Sequence, residues 1–477
     1  MLPVPGATGP ARTMEEAYPR RYQILAAVML GSILGPLDGS ILNVILPTIS
    51  HSFSATMAVV EWVPMVYLLT IAGLVLLFGR LGDIAGYRRV FLTGLLGFVA
   101  ASVLCATSPT IHVLVAFRGL QGAAASMMMA VPLAILTGSF PASQRGRALG
   151  IYALSISVGL AVGPSLGGLL TTLFSWRAAF LINVPVGLMA FVVALRVLPD
   201  MRGRAGRLDV GGAALALTAL SSFLLFVTHA QQDGLTAFTA TLLAVAVLSA
   251  GLFVRTEHRV RDPLLPLHLF RNPTLSCGAL ASLFNFMAQF VVVFLTPFFL
   301  QRVLEEDPGR VGLVMTAFPL AVLCVAPVSG TLSDRIGTVG PAVCGALVSA
   351  LSCGLLATLP ADVGSHQVAW RLGLFGLGAG IFGSPNNSAV MGSAPREHLG
   401  VASSLLGTVR TVGMVLGVAA GAAVLYASVP ASLLRGGPLT EAQAGPYLAG
   451  LRHAYAVGAC FAFAAALLSA ARRWRRS

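Results

Sequence analysis

The chain has 477 residues, 56% of them hydrophobic and 10% charged, with a formal net charge of +13 and a mean hydropathy of +0.86. A soluble domain carries about 25% charged residues, so these figures exclude a soluble globular fold, a disordered chain and a collagen-like repeat. All 30 basic residues are Arg, and they lie between apolar runs, as the positive-inside bias of membrane proteins produces and nucleic-acid binding does not.

In a membrane the structural unit is a span of about 20 apolar residues. Such runs fall near residues 22–47, 59–79, 90–107, 111–136, 148–172, 178–198, 209–229, 236–254, 274–300, 311–332, 338–359, 369–391, 400–427 and 451–471. They predict an all-α polytopic membrane protein with fourteen transmembrane helices. The first run is too long for a cleaved leader and lacks a small-residue cleavage site, so it is expected to remain as a span. An even number of spans puts both ends on one side. Of the 30 Arg, 22 flank the spans on that side, 6 lie on the other, and Arg118 and Arg410 fall inside spans. The asymmetry places both termini in the cytoplasm. The six Cys show no metal-ligand or disulfide spacing and read as small core residues.

The few ionisable and amide groups inside the spans are the candidate functional residues. Asp38 lies ~24 Å along the first span; a carboxylate there costs roughly 2.5–3.5 kcal/mol on insertion scales, so a partner and a task are expected. Arg118 enters the fourth span from the opposite side and lies ~10 Å deep, at a similar level. The two are expected to pair. Protonation of Asp38 would release Arg118 and bias one conformation; the plainer alternative is a static ion pair joining two helices. Glu61, beside Trp62, reads as a solvated interfacial residue, with a second proton site as the alternative. Asn43 is either a packing amide or a substrate contact.

Asn285 and Gln289 share a face of the ninth span. With Asn386 and Asn387 of the twelfth they either line a cavity or serve as interhelical hydrogen-bonding groups. Arg410 lies ~15 Å into the thirteenth span, and no span of that half holds an acid. Unless it bonds the carbonyls of a neighbouring helix, it leaves the cavity positive and favours neutral, zwitterionic or anionic cargo.

An internal repeat divides the chain. Gly79-Arg-Leu-Gly-Asp83-Ile-Ala-Gly86 and Gly330-Thr-Leu-Ser-Asp334-Arg-Ile-Gly337 are both G-x-L-x-D-x-x-G. Gly146, Gly159 and Gly163 recur as Gly400, Gly413 and Gly417. Both echoes are displaced by eight spans, which predicts two six-helix halves around a central cavity with an inserted pair, 6+2+6. The expected divisions are an N-terminal tail (1–21), a first half (22–200), a linker with helices 7–8 (201–273), a second half (274–471) and a basic tail (472–477).

From Tyr22 to Ala471 these features are similar to the major facilitator superfamily, and within it to the fourteen-span drug:proton antiporters. Gly79–Arg89 resembles the superfamily loop between helices 2 and 3. The stretch from Asp38 through Asn43 to Pro47 resembles the branch's first-helix signature, and Arg118-Gly-Leu-Gln121-Gly122 the fourth-helix motif. Gly159-Leu-Ala-Val-Gly163-Pro164 through Gly168 resembles the antiporter motif of helix 5, and Trp176-Arg177 with Asn183-Val-Pro185 the start of helix 6. The resemblance implies a proton-coupled exporter of amphiphilic small molecules, of the multidrug-efflux and antibiotic-resistance type, in the bacterial cytoplasmic membrane. It also implies that Asp83, with Arg88 and Arg89, latches the start of span 13 near Gly400, matched by Asp334, and that the helix-5 glycines and Pro164 seal the cavity rather than merely pack. The proton is the expected coupling ion, with no other cofactor, no metal, no catalytic residue and no nucleic acid. The expected partners are an amphiphilic cargo and membrane lipid, and the expected state is a monomer. The alternative task is export of one endogenous metabolite, siderophore, antibiotic or lipid. A receptor that transports nothing would leave the buried Asp–Arg pair without a purpose. Gly163-Pro-Ser165-Leu-Gly167 and Gly378-Ala-Gly380-Ile-Phe-Gly383 fit nucleophile-elbow and dinucleotide patterns only by composition, since both lie within apolar runs.

Overall fold

The computed structural model describes residues 20–141, 144–199, 210–258, 271–360, 362–393, 399–430, 433–434, 439 and 441–474. Its helices are α1 (Arg21–Ser32), α2 (Leu34–Ser52), α3 (Met57–Val60), α4 (Trp62–Ala85), α5 (Tyr87–Ala106), α6 (Ile111–Ala130), α7 (Pro132–Ser139), α8 (Arg145–Leu173), α9 (Ala178–Leu181) and α10 (Asn183–Val197). They continue as α11 (Val210–Asp233), α12 (Ala237–Glu257), α13 (Pro273–Arg302), α14 (Pro308–Ile336), α15 (Val339–Leu356), α16 (Ser365–Ser393), α17 (Leu399–Ser428) and α18 (Glu441–Trp474). A helix satisfies its backbone within itself, which is why chains this apolar take the form. Each predicted apolar run falls on one helix or on a pair broken at a single residue, such as Ile33 or Val131. The largest difference is α18, which starts ten residues before its apolar run and continues through Pro446; at 34 residues it is ~50 Å long.

Among the described residues, twelve segments are long and apolar enough to cross a membrane. The apolar part of α11 is shorter, Gly211–Val227, and α16 is not among the twelve. Large apolar side chains such as Leu248, Leu351 and Leu467 are more than half exposed on the outside of the bundle, a surface suited to lipid.

The internal repeat is visible in the packing. Gly86 and Gly337 end α4 and α14 with φ of +98° and +87°, a left-handed turn that an L-residue adopts only with strain. Their N–H groups donate to the corresponding carbonyls, Gly82 and Ser333. In the first half α8 lies on α2 at near-contact distance: a Cβ on Gly159 would come 2.9 Å from Ile33, and one on Gly163 would collide with Ser40. In the second half α17 lies on α13 in the same way, with a Cβ on Gly413 falling 2.7 Å from the Leu283 carbonyl. Small residues permit this approach where both lipid and core are apolar.

Helices α11 and α12 pack together, and α11 lies against both α4 and α17. Helix α11 therefore covers one seam, between α4 and α17, while α8 against α14 forms another. The core is shared at one end and divided at the other. At the end where Arg is scarce, one apolar cluster takes in Val44, Met57, Val60 and Phe180 of the first half with Phe294, Phe298, Val311 and Leu425 of the second. At the Arg-rich end the clusters are separate. One holds Phe91, Met128 and Tyr152; another holds Ala346, Phe382 and Ala466.

Candidate functional site: a buried carboxylate ringed by donors

Helix α2 carries Asp38 into the interior of the first half, where it is 2% exposed. Arg118 of α6, fully buried, donates from Nη1 to Asp38 Oδ2 at 2.6 Å. The other carboxylate oxygen, Oδ1, accepts from Gln121 Nε2 at 3.0 Å and from Asn183 Nδ2 at 2.7 Å. Arg118 also donates to Gln121 Oε1 at 2.6 Å and, from Nε, to the Val63 carbonyl at 3.3 Å. Its guanidinium sits 4.1 Å over the Tyr67 ring. Ser102 of α5 accepts from Gln121 Nε2 at 3.0 Å. Helices α2, α4, α5, α6 and α10 thus converge on one carboxylate.

The network is asymmetric in a chemically informative way. Every group bonded to Asp38 is a donor, as an ionised carboxylate requires. Asn183 Oδ1 is buried and has no hydrogen-bond partner. An ion pair with this many charge-assisted bonds offsets much of its desolvation cost, and removing either charge leaves the other buried and uncompensated.

Glu61 lies elsewhere than at the solvated surface expected for it. It is 1% exposed at the break between α3 and α4, and the Tyr426 hydroxyl of α17 donates to its Oε2 at 3.1 Å. The seam between the halves covers it. Other bonds join the halves at the same Arg-poor end. Gln301 Nε2 donates to the Val44 carbonyl at 2.9 Å, and Thr48 donates to Gln301 Oε1 at 3.1 Å. The Gly309 N–H donates to Thr172 Oγ1 at 3.0 Å, and the Ser165 and Thr316 hydroxyls are 2.7 Å apart. Pro164 lies in this seam, its carbonyl filling the place a Cβ on Gly312 would need.

Asn386 departs from the cavity reading. It is fully buried within the second half, donating to Ser282 Oγ at 2.7 Å and to the Gly278 carbonyl at 3.2 Å. Its Oδ1 accepts from Arg472, a bond that joins the far end of α16 to α13 and α18. Its neighbour Asn387 is exposed, Asn285 and Asn43 are buried, and Gln289 is half-buried. Arg410 of α17 is half-buried.

Asp83 is engaged within its own turn. Tyr87 donates to Oδ1 at 2.6 Å, and Arg80 lies 3.7 Å from Oδ2. Arg88 donates to the Leu195 carbonyl at 2.7 Å, and Arg89 is exposed. Gly79 and Gly330 face Ala130 of α6 and Ser384 of α16, equivalent neighbours in the two halves. The Asp334 side chain lies outside the described residues, as do residues 1–19, 201–209, 259–270 and 475–477 of the expected tails and linker.

The model of the Major Facilitator Superfamily matches residues 28–418. The chain belongs to this superfamily. An uncharacterized transporter of Escherichia coli, YebQ, is 36% identical over 84% of this chain and 88% of its own length. The multidrug resistance protein Stp of Mycobacterium tuberculosis is 34% identical over 86% of this chain and 76% of its own. The methylenomycin A resistance protein of Streptomyces coelicolor is 33% identical over 88% and 90%. Among solved structures, a bacterial homologue of the human lysosomal transporter Spinster superposes with a TM-score of 0.68. It is 17% identical and covers 95% of this chain and 97% of its own, which shows the fold. The chain is therefore a multi-pass membrane transporter of the superfamily, with multidrug and antibiotic-resistance proteins among its relatives.

Sequence reasoning named two members of the superfamily chain's central network as a pair and saw Gln121 only as part of a motif. It placed Asn183 in a motif without giving it a role, and it missed Ser102 and Tyr67. A signal existed for Asn183, a lone amide in an apolar run, which is costly in a membrane unless bonded. Ser102 and Tyr67 carry no such mark, because hydroxyls are common in helices.

Proposed function

We propose that the chain is a fourteen-span, proton-coupled exporter of amphiphilic small molecules, arranged as 6+2+6 with both termini in the cytoplasm, acting as a monomer by alternating access. Asp38 is the proton site, and the observation that carries this is its all-donor ring beside an Asn183 carbonyl oxygen that has no donor. A proton added to Asp38 meets only donors. One of them must leave, and rotation of the Asn183 amide turns its oxygen into the acceptor the acid needs. Neutralising Asp38 also removes the attraction that holds Arg118, and with it a tie between α2 and α6.

The Arg distribution assigns the Arg-rich end to the cytoplasm. In that frame the shared core, the Glu61–Tyr426 bond and the Gln301 bonds close the outer end, while the divided cores correspond to an inward-open state. Asp83, held by Tyr87 and Arg80, is then in its unlatched setting. In the opposite state it caps the N-terminus of α17, where a carboxylate is favoured by the helix dipole. Glycines 159 and 163 with Pro164 hold α8 tight to α2 and α14 and limit leak between the halves. The names of the multidrug and antibiotic-resistance relatives support export as the direction.

The test is cargo-induced proton release by purified protein in weakly buffered detergent, wild type against Asp38→Asn. Release by the wild type, absent in the variant while binding persists, supports exchange through Asp38. Binding with no release from either protein refutes it.

A further inference from the structure

We propose that the furrow between α15 and α18 seats one anionic phospholipid of the leaflet at the Arg-rich end, with an acyl chain along the furrow and the phosphate held by Arg335 and the N-terminus of α15. The inference needs only a chain that spans a membrane. It is independent of the direction of transport and of the proton step.

Both helices pack within the second half, and the furrow between them opens to the outside of the bundle. Its volume is about 970 Å³, inside the range of ~300–1,000 Å³ that ligand sites occupy. The lining is apolar and runs from Val339 to Leu351 on α15 and from Leu467 to Ala471 on α18. A smaller hollow of about 400 Å³ continues it from Leu467 back to Ala459. Each helix thus borders the space over about 12 residues, or ~18 Å. One leaflet supplies ~15 Å of hydrocarbon, half of the ~30 Å core. The length suits one acyl chain, whereas a helix from a second copy needs a seam across the whole core.

Small and outward-facing residues make the space. A Cβ on Gly340 would meet nothing within 4 Å. Cys344, one turn further on, is exposed, and Leu351 and Leu467 are 59% and 58% exposed.

The furrow begins where positive charge is available. Arg335, in the last turn of α14, is exposed and lies four residues before Val339. Thr338 makes no side-chain cap bond to the start of α15. The first N–H groups of a helix have no acceptor within it, and the helix dipole favours an anion there. The sequence beyond Ala471 is also basic. A phosphate at this level meets a guanidinium and free amides while its chain enters the apolar furrow. A zwitterionic headgroup brings an ammonium to the same positive end, so the anionic class is preferred.

The test titrates the delipidated full chain in detergent with phosphatidylglycerol and phosphatidylcholine of matched acyl chains, read by native mass spectrometry. The wild type is expected to retain one phosphatidylglycerol about five-fold more tightly than phosphatidylcholine. Arg335→Gln brings phosphatidylglycerol down to the phosphatidylcholine level and leaves the latter within about two-fold. Gly340→Trp fills the open space and weakens both lipids by about ten-fold, as loss of about two buried methylenes does. Cys344→Trp does the same and replaces it if the first variant fails to elute as a monodisperse peak. Leu252→Trp, at a position of α12 that is 52% exposed, leaves both lipids unchanged. Equal retention of the two lipids by the wild type, an unchanged preference in Arg335→Gln, or retention indifferent to a Trp in the furrow overturns the proposal. A dimer that Gly340→Trp dissociates assigns the furrow to a second copy and overturns it too.

Discussion

Among the described residues, Arg118 with its partners is the largest concentration of buried charge-assisted bonding, and a double-mutant cycle with Asp38 measures what it does. Arg118→Gln leaves the Asp38 carboxylate buried with only Gln121 and Asn183 as donors, an uncompensated charge that costs about 3–5 kcal/mol. Asp38→Asn leaves the guanidinium with Gln121 Oε1, the Val63 carbonyl and the Tyr67 ring, a smaller loss of about 2–3 kcal/mol. The double variant removes both charges and keeps neutral amides that bond to one another. Its cost falls to about 1–3 kcal/mol, no more than that of Arg118→Gln alone, so the coupling is about 2 kcal/mol or more. The assay is reversible unfolding in mixed micelles by SDS titration, followed by circular dichroism. A double variant whose loss equals the sum of the single losses refutes the reasoning, because it shows that the two charges do not compensate one another in the folded protein.

Three further outcomes are expected. Gln301→Leu removes the side chain that bonds both Thr48 and the Val44 carbonyl across the seam; a cysteine placed at Thr48 becomes several-fold more reactive to an impermeant maleimide in the variant, and unchanged labelling argues against that seam as a closure. Gly86→Ala and Gly337→Ala force an L-residue into the left-handed turn and each lower stability by about 1–2 kcal/mol, while Gly340→Ala, where the structure has open space, changes it by less than about 0.5 kcal/mol; SDS unfolding reads all three. Asn386→Leu strands the Arg472 guanidinium and lowers stability by about 3–5 kcal/mol, whereas Asn387→Leu at the exposed neighbour stays near wild type.

The helices were legible because apolar length is set by bilayer thickness, so each run marks a helix wherever the chain folds. The repeat was legible because a left-handed turn demands glycine, and two such turns with the same preceding Asp stand out at Gly86 and Gly337. Asp38 and Arg118 were legible as a pair because charge inside a membrane is rare and must be matched. Glu61 was not. Its place beside Trp62 has the composition of a membrane interface, and only the approach of Tyr426, from a helix more than 360 positions away, turns it into a buried seam. Asn386 was left between two readings for a related reason: a tandem amide fits polar lining or interhelical bonding alike until Arg472 of the last helix is seen to occupy it.

By itself the sequence determined the membrane class, the helical elements, the two-fold repeat and the few residues costly enough to need a purpose. The tertiary structure decided which donors ring Asp38, at which end of the bundle the two halves share a core, and which face of each helix meets protein. The reason is physical. In a soluble helix the polar stripe marks the outside, but here lipid and core are both apolar, so composition carries almost no record of a helix's rotation about its axis. That rotation is set by the packing of glycine faces such as Gly163 on Ser40 and Gly413 on Leu283, and it is what brings Asn183 to Asp38.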